Sequence, residues 1–158
     1  MEKRGVRFLV PNEYGHLLQD VLNTIDVERY FWHIDSDEIY ISNDNEGIID
    51  NLFSKYKKNN ILSGKKFKKL ISENIYSTIF GEFKAFTKNS EVTEVNTFED
   101  FIKSKCEIVL LIVDSIYYDI YCKDVNIILS IYESAVQSGY DNVEFIDEKD
   151  TRTRLLVW

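Results

Sequence analysis

The stretch 107–123 constrains this chain more than any other. Six consecutive aliphatic residues, Ile108–Val113, lead into Asp114 and Ser115, and a second β-rich run, Tyr117–Cys122, leads out. Asp and Ser favour tight turns, and two such runs joined by so short a connection pair as an antiparallel hairpin. A hairpin this apolar needs cover, so the rest of the chain must extend a sheet around it and lay helices over it.

The flanking segments supply both. Residues 5–10 read as a strand that stops at Pro11, which has no amide hydrogen to give a ladder. Asn12 stands as an N-cap, with Tyr14, Leu17, Leu18, Val21, Leu22 and Ile25 following at helical spacing. Residues 30–34 and 38–42 read as two strands of a hairpin turned at Asp35, Ser36 and Asp37. Asn43 and Glu46 have capping-box spacing, which predicts a helix over about 45–56. Ser63 caps a short helix that buries Phe67, Leu70 and Ile71. Residues 76–86 form a strand with a kink or close approach at Gly81. Thr97 and Asp100 cap a helix burying Phe98, Phe101 and Ile102. Asp124 starts a helix with Val125, Ile128, Ile131, Tyr132 and Ala135 on its apolar face, and Gly139 sits where a C′ glycine belongs. Residues 142–147 and 152–158 close the chain as two strands. The order β-α-β-β-α-α-β-α-β-β-α-β-β is dominated by hairpins and predicts an α+β fold: a mostly antiparallel sheet with helices packed against it.

With 158 residues, 44 % of them apolar, one domain spanning 1–158 is expected. No apolar run reaches the roughly 18–20 residues that cross a bilayer, and the opening apolar stretch ends at Pro11, too soon for a signal peptide. The expected compartment is the cytoplasm, with no membrane contact. Cys106 and Cys122 fit no disulfide framework or metal knuckle and read as reduced, buried thiols close across the hairpin ladder.

Catalytic and cofactor motifs do not emerge. His16 and His33 have no adjacent nucleophile and no histidine at i+4, so neither a triad nor a metal site is assembled around them. A calcium loop counted with Gly47 sixth places Phe53 at the twelfth position, where a bidentate Glu is required. Ser63-Gly64-Lys65-Lys66 resembles the end of a phosphate loop but lacks the upstream glycine. The chain therefore reads as non-enzymatic, with no cofactor and no metal.

Charge is distributed in blocks. The formal net charge is −8, yet residues 55–69 hold seven lysines and no acid (Lys55, Lys57, Lys58, Lys65, Lys66, Lys68, Lys69), leaving −15 for the remainder. The cluster would attract phosphate, but the surrounding acid opposes a long polyanion, so nucleic acid is not the expected partner and a solvated helix accounts for the lysines. Two acidic groups fall at expected turns: Asp35, Asp37 and Glu38, and Asp147, Glu148 and Asp150. Such clusters speed encounter with a basic protein partner. Arg152 and Arg154, two apart on an expected strand, share a face and suit an anion site, which keeps open an alternative reading as a small-ligand-binding or enzymatic domain.

Three segments carry a resemblance: Arg4-Gly5-Val6-Arg7-Phe8 followed by Pro11-Asn12-Glu13-Tyr14-Gly15; residues 61–86 with Ser63-Gly64 and Phe83-Lys84-Ala85-Phe86; and the ending Asp150-Thr151-Arg152-Thr153-Arg154-Leu155-Leu156-Val157-Trp158. Through them the chain resembles a family of small uncharacterised Bacillus-type proteins, a domain of unknown function. The resemblance brings no catalytic residues. It implies an association with polymorphic-toxin loci, and with it an immunity protein that binds and neutralises a basic toxin.

Overall fold

The computed structural model describes residues 2–42 and 50–158. Its centre is the expected hairpin, β6 (Ile108–Val113) and β7 (Tyr117–Cys122), turned through Asp114 and Ser115, both with positive φ. One antiparallel sheet grows outward on both sides of it. On one side lie β5 (Tyr76–Phe86), then β2 (Phe31–Ile41), which also pairs with the short strands β3 (Asp50–Asn51) and β4 (Ile61–Ser63). On the other side lie β1 (Lys3–Leu9) and, at the edge, β8 (Asp141–Asp147), so the first strand is inserted between the seventh and the eighth. Any side chain at Gly5 would run into the backbone carbonyl of Ile120, so glycine is what lets β1 close against β7.

One face of the sheet carries α1 (Leu17–Val21), α2 (Gly64–Glu73) and α4 (Val125–Gln137). Beneath them Val6, Phe8, Trp32, Ile34, Phe67, Phe83, Leu110, Tyr118 and Ile120 form one continuous apolar core. Aromatic rings interlock there: Trp32 stacks on Phe67 at 4.5 Å between centroids, and Phe53 on Phe67 at 5.6 Å. The opposite face carries α3 (Phe98–Lys103) and the C-terminal segment, which enclose a smaller cluster including Phe86, Val109, Leu111, Tyr121, Ile146 and Leu155.

The caps behave as expected from sequence. Ser63 Oγ accepts from the Lys66 amide, Thr97 and Asp100 form a capping box, Asp124 accepts from the Asn126 amide, and Gly139 takes φ +76° just beyond α4. Val125 and Ile102, expected inside, are instead 48 % and 53 % exposed.

Four segments differ from expectation. Asn12 caps nothing: Gly15 pairs with Tyr76 through two backbone hydrogen bonds, and α1 begins only at Leu17. The Tyr76 hydroxyl supplies the missing cap, accepting from the Leu18 and Gln19 amides while donating to the Ile71 carbonyl. Residues 30–42 are not a hairpin. They form the single strand β2 with a bulge at 35–38, where Ser36 takes φ +52°. Two compensating register shifts, between Asp35 and Glu38 and between Glu38 and Ile39, break the alternation, so Ile34 and Ile39, five apart, both enter the core. Of the helix expected over 45–56, residues 43–49, including Asn43 and Glu46, lie outside the described residues; Asp50–Asn51 form β3, and Leu52 and Phe53 are fully buried without a helix. The last segment is not a ladder strand either. Residues 148–158 cross the second face as a strap, whose backbone is tied at the Thr97–Arg154 bridge by the Phe98 amide to the Thr153 carbonyl and the Leu155 amide to the Asn96 carbonyl.

Candidate functional site

The second face of the sheet is where polar chemistry collects. Ladder register aligns one row of side chains across six strands: Asp35, Glu82, Leu111, Asp119, Arg7 and Glu144. Charged groups in the middle of central strands are costly unless paired. At the centre of the sheet they are paired: Glu82 with Lys84 of its own strand, and Arg7 with Asp119 across the ladder, where the strap adds Asp150 and Arg152.

Arg7 lies at the heart of the row. Its Nε donates to Asp119 Oδ1 at 2.8 Å and its Nη2 to Asp119 Oδ2 at 3.0 Å, a bidentate fork, and Nη2 also reaches Asp150 Oδ1 at 3.2 Å. Arg152 adds a second guanidinium, with Nε 3.3 Å from Asp119 Oδ2 and Nη1 donating to the Leu156 carbonyl at 3.3 Å. The Tyr121 hydroxyl donates to Asp150 Oδ2 at 2.7 Å. Asp119 and Asp150 are both 7 % exposed at the side chain, whereas Arg7 and Arg152 are 36 % and 28 % exposed. The carboxylates are thus buried behind guanidiniums that reach outward. The hydrogen bond with Asp119 holds the Arg7 proton more tightly than usual, against the opposing effect of burial. Burial, and then the bond to Asp150, pushes the Tyr121 phenol up, so it stays a donor.

Beside this network opens a cleft of about 710 Å³, with Arg7, Asp119, Arg152, Asn142 and Glu144 as its polar lining and Leu9, Leu111, Val113, Tyr117 and Val143 as its apolar floor. A second bulge, between Arg7 and Leu9 in the pairing of β1 with β8, spaces the strands where the cleft opens, and Asn142 there has φ +52°. The volume lies within the roughly 300–1,000 Å³ of small-molecule sites. Among the described residues, neither Arg7 Nη1 nor Arg152 Nη2 has a hydrogen-bond partner.

The residues singled out from sequence are dispersed. Asp37 is buried against Lys57, Oδ1 to Nζ 2.7 Å, with a side chain 6 % exposed, and Asp35 accepts from Asn60 and lies 3.3 Å from His33 Nε2. Glu38 remains half-exposed on the bulge. Asp147 accepts the Lys149 amide in the turn after β8, Glu148 is exposed, and Asp150 is drawn into the Arg7 network. Arg152 lines the cleft and Arg154, exposed at the Thr97 bridge, does not. His33 lies away from the cleft, beside the buried pair Lys84 and Glu82, whose Nζ and Oε1 are 3.4 Å apart. Arg7, Asp119 and Tyr121 went unremarked in sequence. The signal was present: a single Arg inside GVRFLV and a single Asp inside YYDIYC are opposite charges in the middle of two apolar strands.

The lysine-rich segment is the solvent face of α2 and the loop before it. Lys57 is bound to Asp37 and the Ile34 carbonyl, Lys66 lies over the Tyr56 ring at 4.2 Å, and Lys68 is 3.5 Å from Glu28. Cys106 and Cys122 are free and buried, in different apolar clusters, and burial pushes the Cys106 thiol up to about 12. Among the described residues no group of three or more His, Cys, Asp or Glu is placed to hold a metal ion, and no helix is long and apolar enough to cross a membrane.

The model of a family described as a protein of unknown function, DUF2691, matches residues 3–156. The uncharacterized protein YncE of Bacillus subtilis (strain 168) is 43 % identical over 157 residues, which cover 98 % of this chain and 99 % of that protein. No solved structure matches.

Proposed function

This chain belongs to the DUF2691 family, and for it we propose a binding role: the cleft above Arg7 and Arg152 takes an organic anion with an apolar body. The observation that carries this reading is the pair of guanidiniums held from behind by buried Asp119 and Asp150, with Arg7 Nη1 and Arg152 Nη2 without a partner among the described residues, beside an apolar floor. Preorganised donors orient a ligand at little entropic cost. The two arginines are already balanced by two aspartates, and Glu144 adds a negative charge at the cleft. Affinity therefore has to come from apolar burial, with the guanidinium edges setting orientation, and a bare inorganic anion is a poor fit.

The test uses benzoate, phenylacetate and hexanoate as probes in thermal unfolding and calorimetry. A bound carboxylate at a hundredfold excess over its Kd stabilises the fold by about 2.7 kcal/mol. Wild type should be stabilised by at least one probe, and Arg152→Gln, folded by circular dichroism, should not respond to it. No stabilisation by any probe, or an unchanged response in Arg152→Gln, overturns the reading.

A second reading is favoured by the charge of −8 and by Asp141, Glu144 and Glu148, exposed along β8 and its following loop. In it the protein is an immunity protein that reaches a basic toxin by electrostatic steering. Of the acidic residues singled out in sequence, Glu38, Asp147 and Glu148 are the ones not engaged by a basic side chain among the described residues, and Glu38 and Glu148, whose carboxylates are not occupied in capping a turn as that of Asp147 is, suit this role best. Protection of cells expressing the product of the neighbouring gene should weaken in Glu38→Lys/Glu148→Lys. Full protection by that variant would count against an acidic interface.

A further inference from the structure

Two rows of side chains meet at the cleft, and they differ in kind. The first is Glu144, Arg7 and Asp119, direct partners across β8, β1 and β7. The second lies two residues along the same strands, about 7 Å away. There Leu9 faces Tyr117, and Tyr117 faces Val113. These residues sit on inner strands of the sheet, yet Tyr117 is 52 % exposed and Leu9 and Val113 are only half-buried. The strap engages the first row through Asp150 and Arg152 and leaves the second open to water.

Charge along the first row does not balance. Arg7 turns away from Glu144, its own ladder partner, and donates to Asp119 and Asp150. Arg152 also goes to Asp119. Two guanidiniums therefore stand against three carboxylates, and Glu144, exposed at the rim, is engaged by no basic side chain among the described residues. A ligand with a carboxylate alone adds a further negative charge there. A ligand that also carries an ammonium adds none and gives Glu144 a partner.

We infer that the cleft takes an α-amino acid with an apolar side chain: its carboxylate on Arg7 Nη1 and Arg152 Nη2, its ammonium on Glu144, and its side chain over Leu9, Tyr117 and Val113. This rests on the reading of the guanidiniums as a carboxylate site and adds the second charge. The geometry of the rows selects the class. Arg7 and Glu144 stand opposite each other on neighbouring strands, about 5 Å apart, so both charges of the ligand belong at one end. The apolar row then receives the body that extends from that end along the strands. An amino acid with its charges at opposite ends of a chain would lay its ammonium on Tyr117 and Val113 instead.

Isothermal titration calorimetry of the intact protein tests this with pairs that differ only in the α-ammonium: L-phenylalanine against hydrocinnamate, and L-leucine against isocaproate. A third pair, ε-aminocaproate against caproate, places the ammonium at the far end. At least one α-amino acid should bind about three- to fivefold tighter than its acid, the scale of a partly exposed ion pair, whereas ε-aminocaproate should gain nothing over caproate. Glu144→Gln should remove the preference. Glu133→Gln, the same charge change on α4 over the opposite face, should keep it. Acids that bind as well as their amino acids overturn the inference, as does a preference that survives Glu144→Gln or an equal gain by ε-aminocaproate. The two readings fail differently. If the acids bind, lose affinity in Arg152→Gln and gain nothing from an ammonium, the carboxylate site stands and this inference alone falls. If binding is indifferent to Arg152→Gln, or none of these ligands binds wild type, both fall.

Discussion

The two faces of one sheet solve the same problem by different means. Beneath α1, α2 and α4 the sheet is covered by apolar and aromatic side chains, and a polar group such as the Tyr118 hydroxyl is satisfied by one short bond, 2.6 Å to Thr78. Beneath the strap, the covering is thinner and the sheet itself is charged, so closure depends on Arg7, Asp119, Asp150 and Arg152 finding one another. Adjacent residues on β7 show the contrast within one strand: Tyr118 and Ile120 point into the first face, Asp119 and Tyr121 into the second. The first face is held by packing, which tolerates no gap. The second is held by directional pairs that leave room for a cleft.

Removing packing from the first face should have the largest effect. Phe67 touches Trp32, Phe53 and Phe83 at ring-centroid distances up to 6.0 Å. Phe67→Ala should cost about 4 kcal/mol in urea unfolding. Asp119→Asn should cost less, about 2 kcal/mol, below the figure for a fully buried pair because both guanidiniums reach water and Asp150 remains. A cost for Asp119→Asn equal to that of Phe67→Ala would mean that the second face is as dry as the first.

Alkaline titration sharpens the same contrast. Burial raises the phenols of Tyr76 and Tyr118 on the first face and Tyr121 on the second above their ordinary value of 10.0. A group protonated in the fold and ionised in the unfolded chain gives stability that is complete below pH 10 and lost as pH rises beyond it. At pH 11 the loss is about 1.4 kcal/mol per phenol. Phenolate absorbance should therefore lag for all three until unfolding; ionisation of Tyr121 near 10 in the native protein would show the strap standing open. Glu148→Lys should have the smallest effect, within about 0.5 kcal/mol of wild type, because the side chain is exposed and engages no partner among the described residues.

Sequence was informative wherever local chemistry decides conformation. The hairpin turn at Asp114 and Ser115, the bounds of β5, and the caps at Ser63, Thr97 and Asp124 each depend on a few adjacent residues. It misled where tertiary contacts override them. Asp35-Ser36-Asp37 has turn composition, yet its partners across the ladder hold it as a bulge, because the broken alternation brings Ile39 into the core. Asn12 has the side chain of a cap, but Gly15 is taken by Tyr76. The ending RLLVW reports burial, with Leu155 fully enclosed, and apolarity alone does not distinguish a strand from a strap. The cleft was legible only through Arg152. Its other guanidinium comes from β1 and its buried carboxylate from β7, 112 residues away in the chain.

That separation has a price in time. Of these eight strands β1 is made before the others, and both of its neighbours, β7 and β8, belong to the last third of the chain. At ribosomal rates of about 5–20 residues per second, the interval between making Arg7 and making Asp119 is roughly 6 to 20 seconds. Throughout it Val6 and Phe8 have no ladder to join. The nascent β1 segment is therefore a natural client for whatever binds apolar segments as they leave the ribosome, and late synthesis, more than early collapse, sets when this sheet can close.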